Sequence, residues 1–344
     1  MQGRRRIRRR PDTYVETTST PAITPSGPLS AKSRDNINDS TEMPIERFVL
    51  ADTNELTIGT TRITDIKELP NLVDYRTHIF TGIGTYHKPG FDSALCRFKL
   101  AQDTLGSQWL TKNSARLAHL ATSMPALTEY DYLMRYHSWI KQDNRHILIH
   151  TFPADVTDAK KVPIITLVDL AKAYNYAVPA EHIGWIFNRI LEFNCLQLKH
   201  FCAGTRVHNF LNAYSICINR ATHRLCLDDW QFCQTYNSRK RVKNMPTADY
   251  IAYASYNGAY GATVSCDIAN AAKLLRWLIG EPITKAHQDI RQFLDSCMAG
   301  ANRNEPQGVD WLVQVRSRWV ALLHRHFRNT FYAVSEDTAP TFMS

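Results

Sequence analysis

The sequence of 344 residues lacks the short motifs that mark well-known catalytic sites. It contains no Gly-x-Ser-x-Gly nucleophile turn, no His-Glu-x-x-His zinc helix and no recognisable set of Cys, His and Asn. The glycine-containing run 81–85 lacks the lysine and hydroxyl of a P-loop and the third glycine of a dinucleotide-binding turn, so it predicts a plain turn. We therefore expect a protein that is not an enzyme and has neither catalytic residues nor a cofactor.

Cysteine pairs of the C-x-x-C type are also absent, as is any stretch of the about 20 apolar residues that a membrane span requires. No apolar signal-peptide core follows the basic start of the chain. Most of the cysteines lie in apolar, helix-like segments, which is typical of reduced and buried thiols. The eight cysteines are Cys96, Cys195, Cys202, Cys217, Cys226, Cys233, Cys266 and Cys297. These features predict a cytosolic or virion-interior setting without contact to a membrane.

Cysteine and histidine alternate between residues 195 and 233, which raises the question of a metal site. Structural zinc sites use two pairs of ligands, each pair two to five residues apart. His200 with Cys202, and His223 with Cys226, only approximate that spacing. We therefore expect core thiols and surface imidazoles here, and no metal.

The neighbouring acids Asp228 and Asp229 are a second candidate metal site. Two-metal polymerases use paired carboxylates, but a polymerase palm needs a strand-turn-strand frame and a much longer chain. Trp230 and Phe232 beside the pair favour an acidic helix start instead, because carboxylates stabilise helix N-termini. The sequence therefore predicts a helix beginning at this pair.

Arginine is strongly concentrated at the start of the chain. Six guanidinium groups occupy seven positions, at Arg4, Arg5, Arg6, Arg8, Arg9 and Arg10. They supply most of the formal net charge of +9, so the rest of the chain is close to neutral. Residues 11–45 are rich in Pro, Ser and Thr and contain too few apolar residues to fold. We expect a flexible arm that neutralises RNA phosphates without selecting sequence; a nuclear address and an idle tail are the alternatives.

A second basic run lies further along the chain, with aromatic residues nearby. It consists of Arg239, Lys240, Arg241 and Lys243. Basic residues beside aromatic side chains can bind a nucleic-acid backbone and stack on its bases. We predict a second RNA contact here, and a solvated loop is the alternative.

Hydrophobic periodicity predicts a mainly α-helical body. Residues 46–92 indicate extended segments with little regular sheet, and 145–152 is the best strand candidate. From about residue 93 the pattern is helical, with helices predicted at 126–141, from 166, at 179–200, 205–219, 267–280, 284–300 and 306–332. The predicted fold class is a large helical shell domain with few short strands and an irregular mid-chain excursion. The predicted domains are the arm and tether at 1–45 and the shell domain at 46–344, with a small protruding subdomain around 221–262.

This layout resembles that of partitivirus coat proteins, particularly the shorter plant-infecting members. The resemblance rests on the basic start, the Pro-rich lead to Pro44, the helices at 179–200 and 306–332, and the Tyr and Gly segment from Tyr250 to Gly261. It covers the whole chain loosely and includes no diagnostic motif, so it assigns no site residue. The arginine density at the start departs from the family and is more like arms that condense single-stranded genomes.

The resemblance implies a structural capsid protein of a small double-stranded RNA virus, located in the virion and the host cytoplasm. Such a protein assembles through homodimers into a T=1 icosahedral shell, and its partners are further copies of itself, the viral genomic RNA and a packaged polymerase. One alternative is a nucleocapsid protein that coats single-stranded RNA, with Arg318, Arg325 and Arg328 adding to its basic face. The other is an enzyme whose site is assembled from residues far apart in sequence.

Overall fold

We analysed a computed structural model, which describes residues 48, 54–142, 145–153, 155–156, 163–199, 206–220, 224–236, 263–280, 283–300 and 309–327. The predicted arm and tether lie outside the described residues, as does most of the predicted subdomain at 221–262. The division of the chain into these domains therefore stays a prediction. None of the described helices is long and apolar enough to cross a membrane.

The first part of the described chain is an antiparallel sheet. Its six strands are β1 (Leu56–Ile58), β2 (Thr61–Glu68), β3 (Ile79–His87), β4 (Ala94–Ala101), β5 (Ser138–Gln142) and β6 (Arg145–Thr151). They are arranged in the order β1-β2-β3-β4-β6-β5. After β4 the chain first forms the edge strand β5 and then returns through β6, which pairs with both β4 and β5.

Two helices interrupt this sheet. The short α1 (Val73–Arg76) connects β2 to β3, and the long α2 (Thr104–Ser123) connects β4 to β5. Asp103 caps α2, because its side chain accepts a hydrogen bond from the backbone N–H of Gly106. The apolar side of α2 packs against β4 and β6.

The second part of the chain is mainly helical. Its helices are α3 (Pro125–Glu129), α4 (Leu167–Ala173), α5 (Ala180–Lys199), α6 (Val264–Leu278), α7 (Lys285–Gly300) and α8 (Val309–Phe327). Short strands accompany them: β7 (Ile164–Thr166), β8 (Arg206–Val207), β9 (Ile216–Asn219), β10 (Arg224–Leu227) and β11 (Gln234–Thr235). The helix α5 lies at the centre of the largest hydrophobic cluster, and α6 and α8 both pack against it.

The prediction of a mainly helical shell domain is wrong, since a six-stranded sheet organises the first part. The strands β3 and β4 are buried almost throughout, so they lack the alternation of apolar and polar residues that marks a half-exposed strand. The run 81–85 lies inside β3 and is no turn, and the helix predicted at 126–141 is replaced by α3 and β5.

The chain between residues 205 and 219 also differs from the predicted helix. Asn209 has a left-handed backbone with φ of 64°. The Asn212 side chain accepts hydrogen bonds from the backbone N–H groups of Tyr214 and Ser215, which fixes a turn before β9. Local side-chain bonding therefore overrides the apolar spacing. The predicted strand at 145–152 and the helices near 179–200 and 284–300 are confirmed.

Candidate active site

The sheet and the helical part meet at a buried group of three charges, which we call the charge cluster: Lys99, Asp228 and Asp229. Lys99 lies on β4, and the two acids follow β10 directly. The Lys99 Nζ atom lies 2.7 Å from Asp228 Oδ2 and 2.7 Å from Asp229 Oδ1. The three side chains are 1%, 0% and 2% exposed. Buried ions of this kind are tolerated only when they are paired and hydrogen-bonded.

Hydrogen bonds complete the surroundings of Asp228. The Tyr136 hydroxyl donates to Asp228 Oδ2 at 2.7 Å, and Asn113 Nδ2 on α2 donates to Oδ1 at 3.1 Å. The backbone N–H of Trp230 donates in turn to Asn113 Oδ1. The helix α2 is thereby tied to the segment that follows β10, although no carboxylate of α2 takes part.

The electrostatics of the charge cluster favour the charged forms. Burial raises the pKa of Asp228, but the positive charge and hydrogen bond of Lys99 outweigh it and hold that pKa well below its usual range. For Lys99 burial lowers the pKa, and the two carboxylates more than compensate, so its pKa is raised. Lys99 is therefore held as an ammonium between two carboxylates.

Tyr75 of α1 closes one side of the charge cluster. Its hydroxyl donates to Asp229 Oδ1 at 2.6 Å, and its side chain is fully buried. Lys99 Nζ lies 5.6 Å from the centre of the Tyr75 ring, and the ring stacks on Trp109 of α2 at 5.7 Å. Burial and the charge of Asp229 raise the pKa of Tyr75 well above its usual value, so the phenol stays protonated.

Arg97 occupies the neighbouring space. It lies two residues before Lys99 on β4, so both side chains leave the same face of the sheet. Only 6% of Arg97 is exposed, and its Nη1 atom lies 3.7 Å from Cys217 Sγ on β9. Burial lowers the pKa of Arg97, but the nearby Cys217, Tyr136 and Asp228 raise it by a larger amount, so the guanidinium stays charged. A buried cation therefore fills the space between the sheet and β9.

Another buried acid, Asp267, supports the loop before β9. The backbone N–H groups of His208 and Asn209 donate to the two carboxylate oxygens of Asp267 on α6, at 2.8 and 2.7 Å. Burial raises the pKa of Asp267 to about 7, against these two donors. The His208 ring lies 4.5 Å from the Trp230 ring and contacts the Asp228 carbonyl through Nε2 at 2.7 Å. Helix α6, the loop and the charge cluster thus form one continuous network.

The structure answers some of the sequence predictions about sites. The predicted RNA-binding residues, Arg4, Arg5, Arg6, Arg8, Arg9, Arg10, Arg239, Lys240, Arg241 and Lys243, lie outside the described residues, and their role stays a prediction. Asp228 and Asp229 precede a short 3₁₀ helix, Trp230–Phe232, but they pair with Lys99 and do not cap an α-helix. Cys217 and Cys226 face each other across β9 and β10. Within the described part of the chain, no group of three metal-ligating residues is placed to hold an ion.

Sequence reasoning missed Lys99, Tyr75, Arg97 and Asn113. These residues are separated from their partners by more than 100 positions, and a lysine or tyrosine inside an apolar strand or loop carries no pattern by itself. No short motif in the sequence joins these positions.

Comparison with known proteins gives a structural match but no sequence match. No protein-family model and no curated protein sequence matches the chain. A solved structure of vaccinia related kinase 3 matches with a TM-score of 0.53 at 12% sequence identity. The match covers 83% of this chain and 94% of that chain. The fold is that of a protein kinase. At this identity the likeness concerns the fold alone.

This finding corrects the predictions of identity and function. The resemblance to partitivirus coat proteins is wrong, and with it the capsid function, because the structural neighbour is a protein kinase. The expectation that the chain is not an enzyme is also contradicted, because its fold is similar to that of an enzyme. A basic start and a Pro-rich tether describe only the first 45 residues, and they were compatible with any folded body behind them.

Proposed function

We propose that this chain is a kinase-fold protein with a nucleotide cleft that its own side chains close in this conformation. The observation that carries the proposal is the burial of Tyr75 against the charge cluster, where its hydroxyl bonds Asp229. In protein kinases the corresponding lysine binds nucleotide phosphates, and the acid of the D-F-G segment binds Mg²⁺. Here Lys99 and Asp229 bind each other and Tyr75 instead.

The segment that covers the phosphates in kinases supports the proposal. Kinases use a glycine-rich loop between the first two strands of the sheet, because glycine lets the backbone approach the phosphates. The two strands that precede the Lys99 strand are β2 and β3, and their connection, residues 69–78, contains no glycine and includes α1. The Tyr75 ring of this connection lies 5.6 Å from Lys99 Nζ, in the space that we propose would otherwise receive the phosphates.

Arg97 supports the proposal on the other side of Lys99. Kinases have a V-A-I-K sequence on this strand, in which a small alanine precedes the lysine by two positions. The corresponding residues here are Cys96, Arg97, Phe98 and Lys99. A buried guanidinium in place of a methyl group removes space from the cleft and adds a charge close to Asp228.

The catalytic loop departs from the kinase pattern as well. The kinase sequence H-R-D-L-x-x-x-N supplies a base and a metal-binding asparagine. Aligned on His208 and Leu211, this chain has Phe210 at the base position and Ser215 at the asparagine position. Phe210 is fully buried against Phe232 at 4.4 Å between ring centroids. It offers no atom that could accept a proton from a substrate hydroxyl.

Helix α2 also departs from the pattern of active kinases. Active kinases pair the strand lysine with a glutamate of this helix. The helix α2 contains no acidic residue, and its inward positions carry Trp109 and Asn113. The Lys99 charge is balanced by the two aspartates alone. The residues present therefore do not fit a nucleotide and Mg²⁺ in this conformation.

A second candidate function is phosphoryl transfer in a conformation with an open cleft. It is favoured by the retention of Lys99 and Asp229, the pair that in kinases contacts phosphate and metal. Tyr75 and Arg97 would first have to leave the cleft. The two candidates make opposite predictions about nucleotide binding by the unmodified protein.

The variant Tyr75→Gly/Arg97→Ala tests which side chains close the cleft. We expect it to gain binding of a fluorescent ATP analogue with Mg²⁺, because it frees the phosphate and base positions while keeping Lys99 and both acids. The measurement is fluorescence anisotropy of the full chain, with circular dichroism to verify that the variant is folded. Tyr176→Gly/Arg62→Ala is the control, since Tyr176 is exposed and Arg62 lies on the outer surface.

Strong nucleotide binding by the unmodified chain, with no further gain in the double variant, would contradict the proposal. Transfer of labelled phosphate from ATP to a protein substrate by the unmodified chain would do so too, and would establish the second candidate.

A further inference from the structure

A basic depression lies between α2 and the strands β5 and β6. Its described lining comprises Thr104, Ser107, Gln108, Thr111, Lys112, Lys141 and His146. The depression encloses about 320 Å³. That volume is at the lower end of ligand sites in proteins, which measure about 300 to 1,000 Å³. We call it the basic depression.

The charges around the basic depression have one sign. Lys112 comes from α2 and Lys141 from the edge strand β5, so two separate elements present an ammonium to one space. Neither lysine forms an ion pair with a described residue, and none of the described lining residues carries a carboxylate. Two cations that converge without a counter-charge repel each other, and an anion between them relieves that repulsion.

The floor of the basic depression is polar and held in place. His146 of β6 is only 6% exposed, and its Nδ1 atom lies 2.5 Å from the Thr111 hydroxyl. The Thr111 hydroxyl also contacts the Ser107 carbonyl at 2.8 Å, and the His146 ring packs edge-on against Trp139 at 5.3 Å. Burial is the main cause that lowers the pKa of His146, followed by the charge of Lys141. A buried, oriented imidazole beneath two ammonium groups is a built polar surface.

The neighbouring acid does not neutralise the basic depression. Asp103 precedes α2, but its carboxylate accepts from the Gly106 N–H at 2.7 Å and contacts His78 Nδ1 at 2.5 Å. The Asp103 carboxylate is thereby engaged by the first turn of α2 and by His78, which precedes β3. The hydroxyl of Thr104 and the side-chain amide of Gln108 add hydrogen-bond donors at the rim.

We propose that the basic depression binds a phosphate monoester, with Lys112 and Lys141 contacting its oxygens and the Thr104 hydroxyl donating a further hydrogen bond. Charge-assisted hydrogen bonds to phosphate oxygens are among the strongest polar contacts in proteins. The phosphate is carried by a small molecule or by a phosphorylated side chain, which share this chemistry. The site is separate from the kinase cleft and does not depend on whether that cleft binds nucleotide.

Isothermal titration calorimetry of the full chain tests this site with three probes: inorganic phosphate, O-phosphothreonine and, as the uncharged counterpart, threonine. We expect saturable binding of the two phosphorylated probes and none of threonine. Removing one ammonium in Lys112→Ala or Lys141→Ala should weaken binding by about tenfold each, as expected for a hydrogen bond to a charged group. Tighter binding of O-phosphothreonine than of phosphate would identify a phosphorylated side chain as the source, and equal binding would identify the free ion.

Lys67→Ala is the matched control, because Lys67 is an exposed lysine on β2 outside the basic depression. Its affinity for phosphate should equal that of the unmodified chain. Absence of saturable binding, or equal weakening in all three lysine variants, would show only unspecific attraction to a basic protein and would overturn the proposal. All three sites are solvent-exposed, so unchanged thermal unfolding in each variant separates a lost contact from a lost fold.

Discussion

At the scale of single residues, Lys99 determines whether two carboxylates can remain buried. Asp228 and Asp229 are almost completely buried, and Lys99 is the cation that contacts both of them. Tyr75, Tyr136 and Asn113 supply hydrogen bonds but no charge. The position of Lys99 makes it part of the folded core.

Replacing Lys99 by methionine should therefore lower the stability of the folded protein. We expect a loss of about 3 to 5 kcal/mol in the free energy of unfolding, because breaking a buried ion pair leaves uncompensated charge. Urea denaturation followed by circular dichroism measures it. The loss should shrink on acidification, since protonation removes the charge of the carboxylates.

Lys67→Met is the matched control for this change, because Lys67 is exposed. It should alter the free energy of unfolding by less than about 0.5 kcal/mol. A Lys99→Met variant as stable as the control would mean that the charge cluster contributes no net stability.

His208 makes stability depend on pH. Burial lowers its pKa to about 4, whereas an unfolded histidine titrates near 6.5. Between pH 4 and pH 6.5 the histidine therefore binds a proton more readily in the unfolded state than in the folded state. The stability that His208 contributes is complete above pH 6.5 and is lost as the pH falls to 4, by up to about 3 kcal/mol.

The comparison of the unmodified chain with His208→Gln isolates this effect. Urea denaturation at pH 7.5 and pH 4.5 should show a smaller loss of stability on acidification in the variant. Asp267, with a pKa raised to about 7, acts in the opposite direction: it stabilises the folded state at low pH and this contribution is lost as the pH rises towards 7. It is present in both proteins, so it does not affect the difference. Equal losses would contradict a buried neutral His208.

At the scale of secondary-structure elements, α2 is held close to the sheet at its first turn. Gly106 lies there, and a Cβ atom built on it would be 1.9 Å from the His78 carbonyl oxygen. That oxygen also accepts the backbone N–H of Gln102 at 2.8 Å, so it belongs to a fixed backbone segment. The close approach lets Asp103 cap the helix and lets Asn113 reach Asp228.

Gly106→Ala should displace α2 and lower the free energy of unfolding by about 1 to 3 kcal/mol or more, because the clash is with backbone and cannot be relieved by a rotamer change. Ser114→Ala is the control, since it lies on the same helix and makes no contact with His78. Thermal unfolding of both variants provides the measurement. Equal stability of the two variants would show that α2 shifts freely.

Individual elements also show what the sequence can and cannot predict. The helices α5 and α7 and the strand β6 carry clear apolar patterns and were predicted. The strands β3 and β4 are buried on both faces, so their apolar runs were indistinguishable from a helix or a turn. The charge cluster was missed because Lys99 and Asp229 lie 130 positions apart and only the fold brings them together.

At the scale of the whole molecule, the fold is similar to that of a protein kinase, and the sheet and the helical part meet at buried side chains. Asp267 anchors the loop before β9, and the His208 ring packs edge-on against the Trp230 ring. The space between the two parts contains Tyr75, Arg97 and the charge cluster.

The most direct test is equilibrium dialysis of the Lys112→Ala/Lys141→Ala variant, which keeps the cleft and lacks the two lysines of the basic depression, against radiolabelled ATP with Mg²⁺ at millimolar concentration. If Tyr75 and Arg97 close the cleft, the labelled nucleotide should distribute equally on both sides of the membrane. Retention of one equivalent of ATP per chain, displaced by unlabelled ATP, would contradict the closed cleft and would favour a kinase that opens in solution.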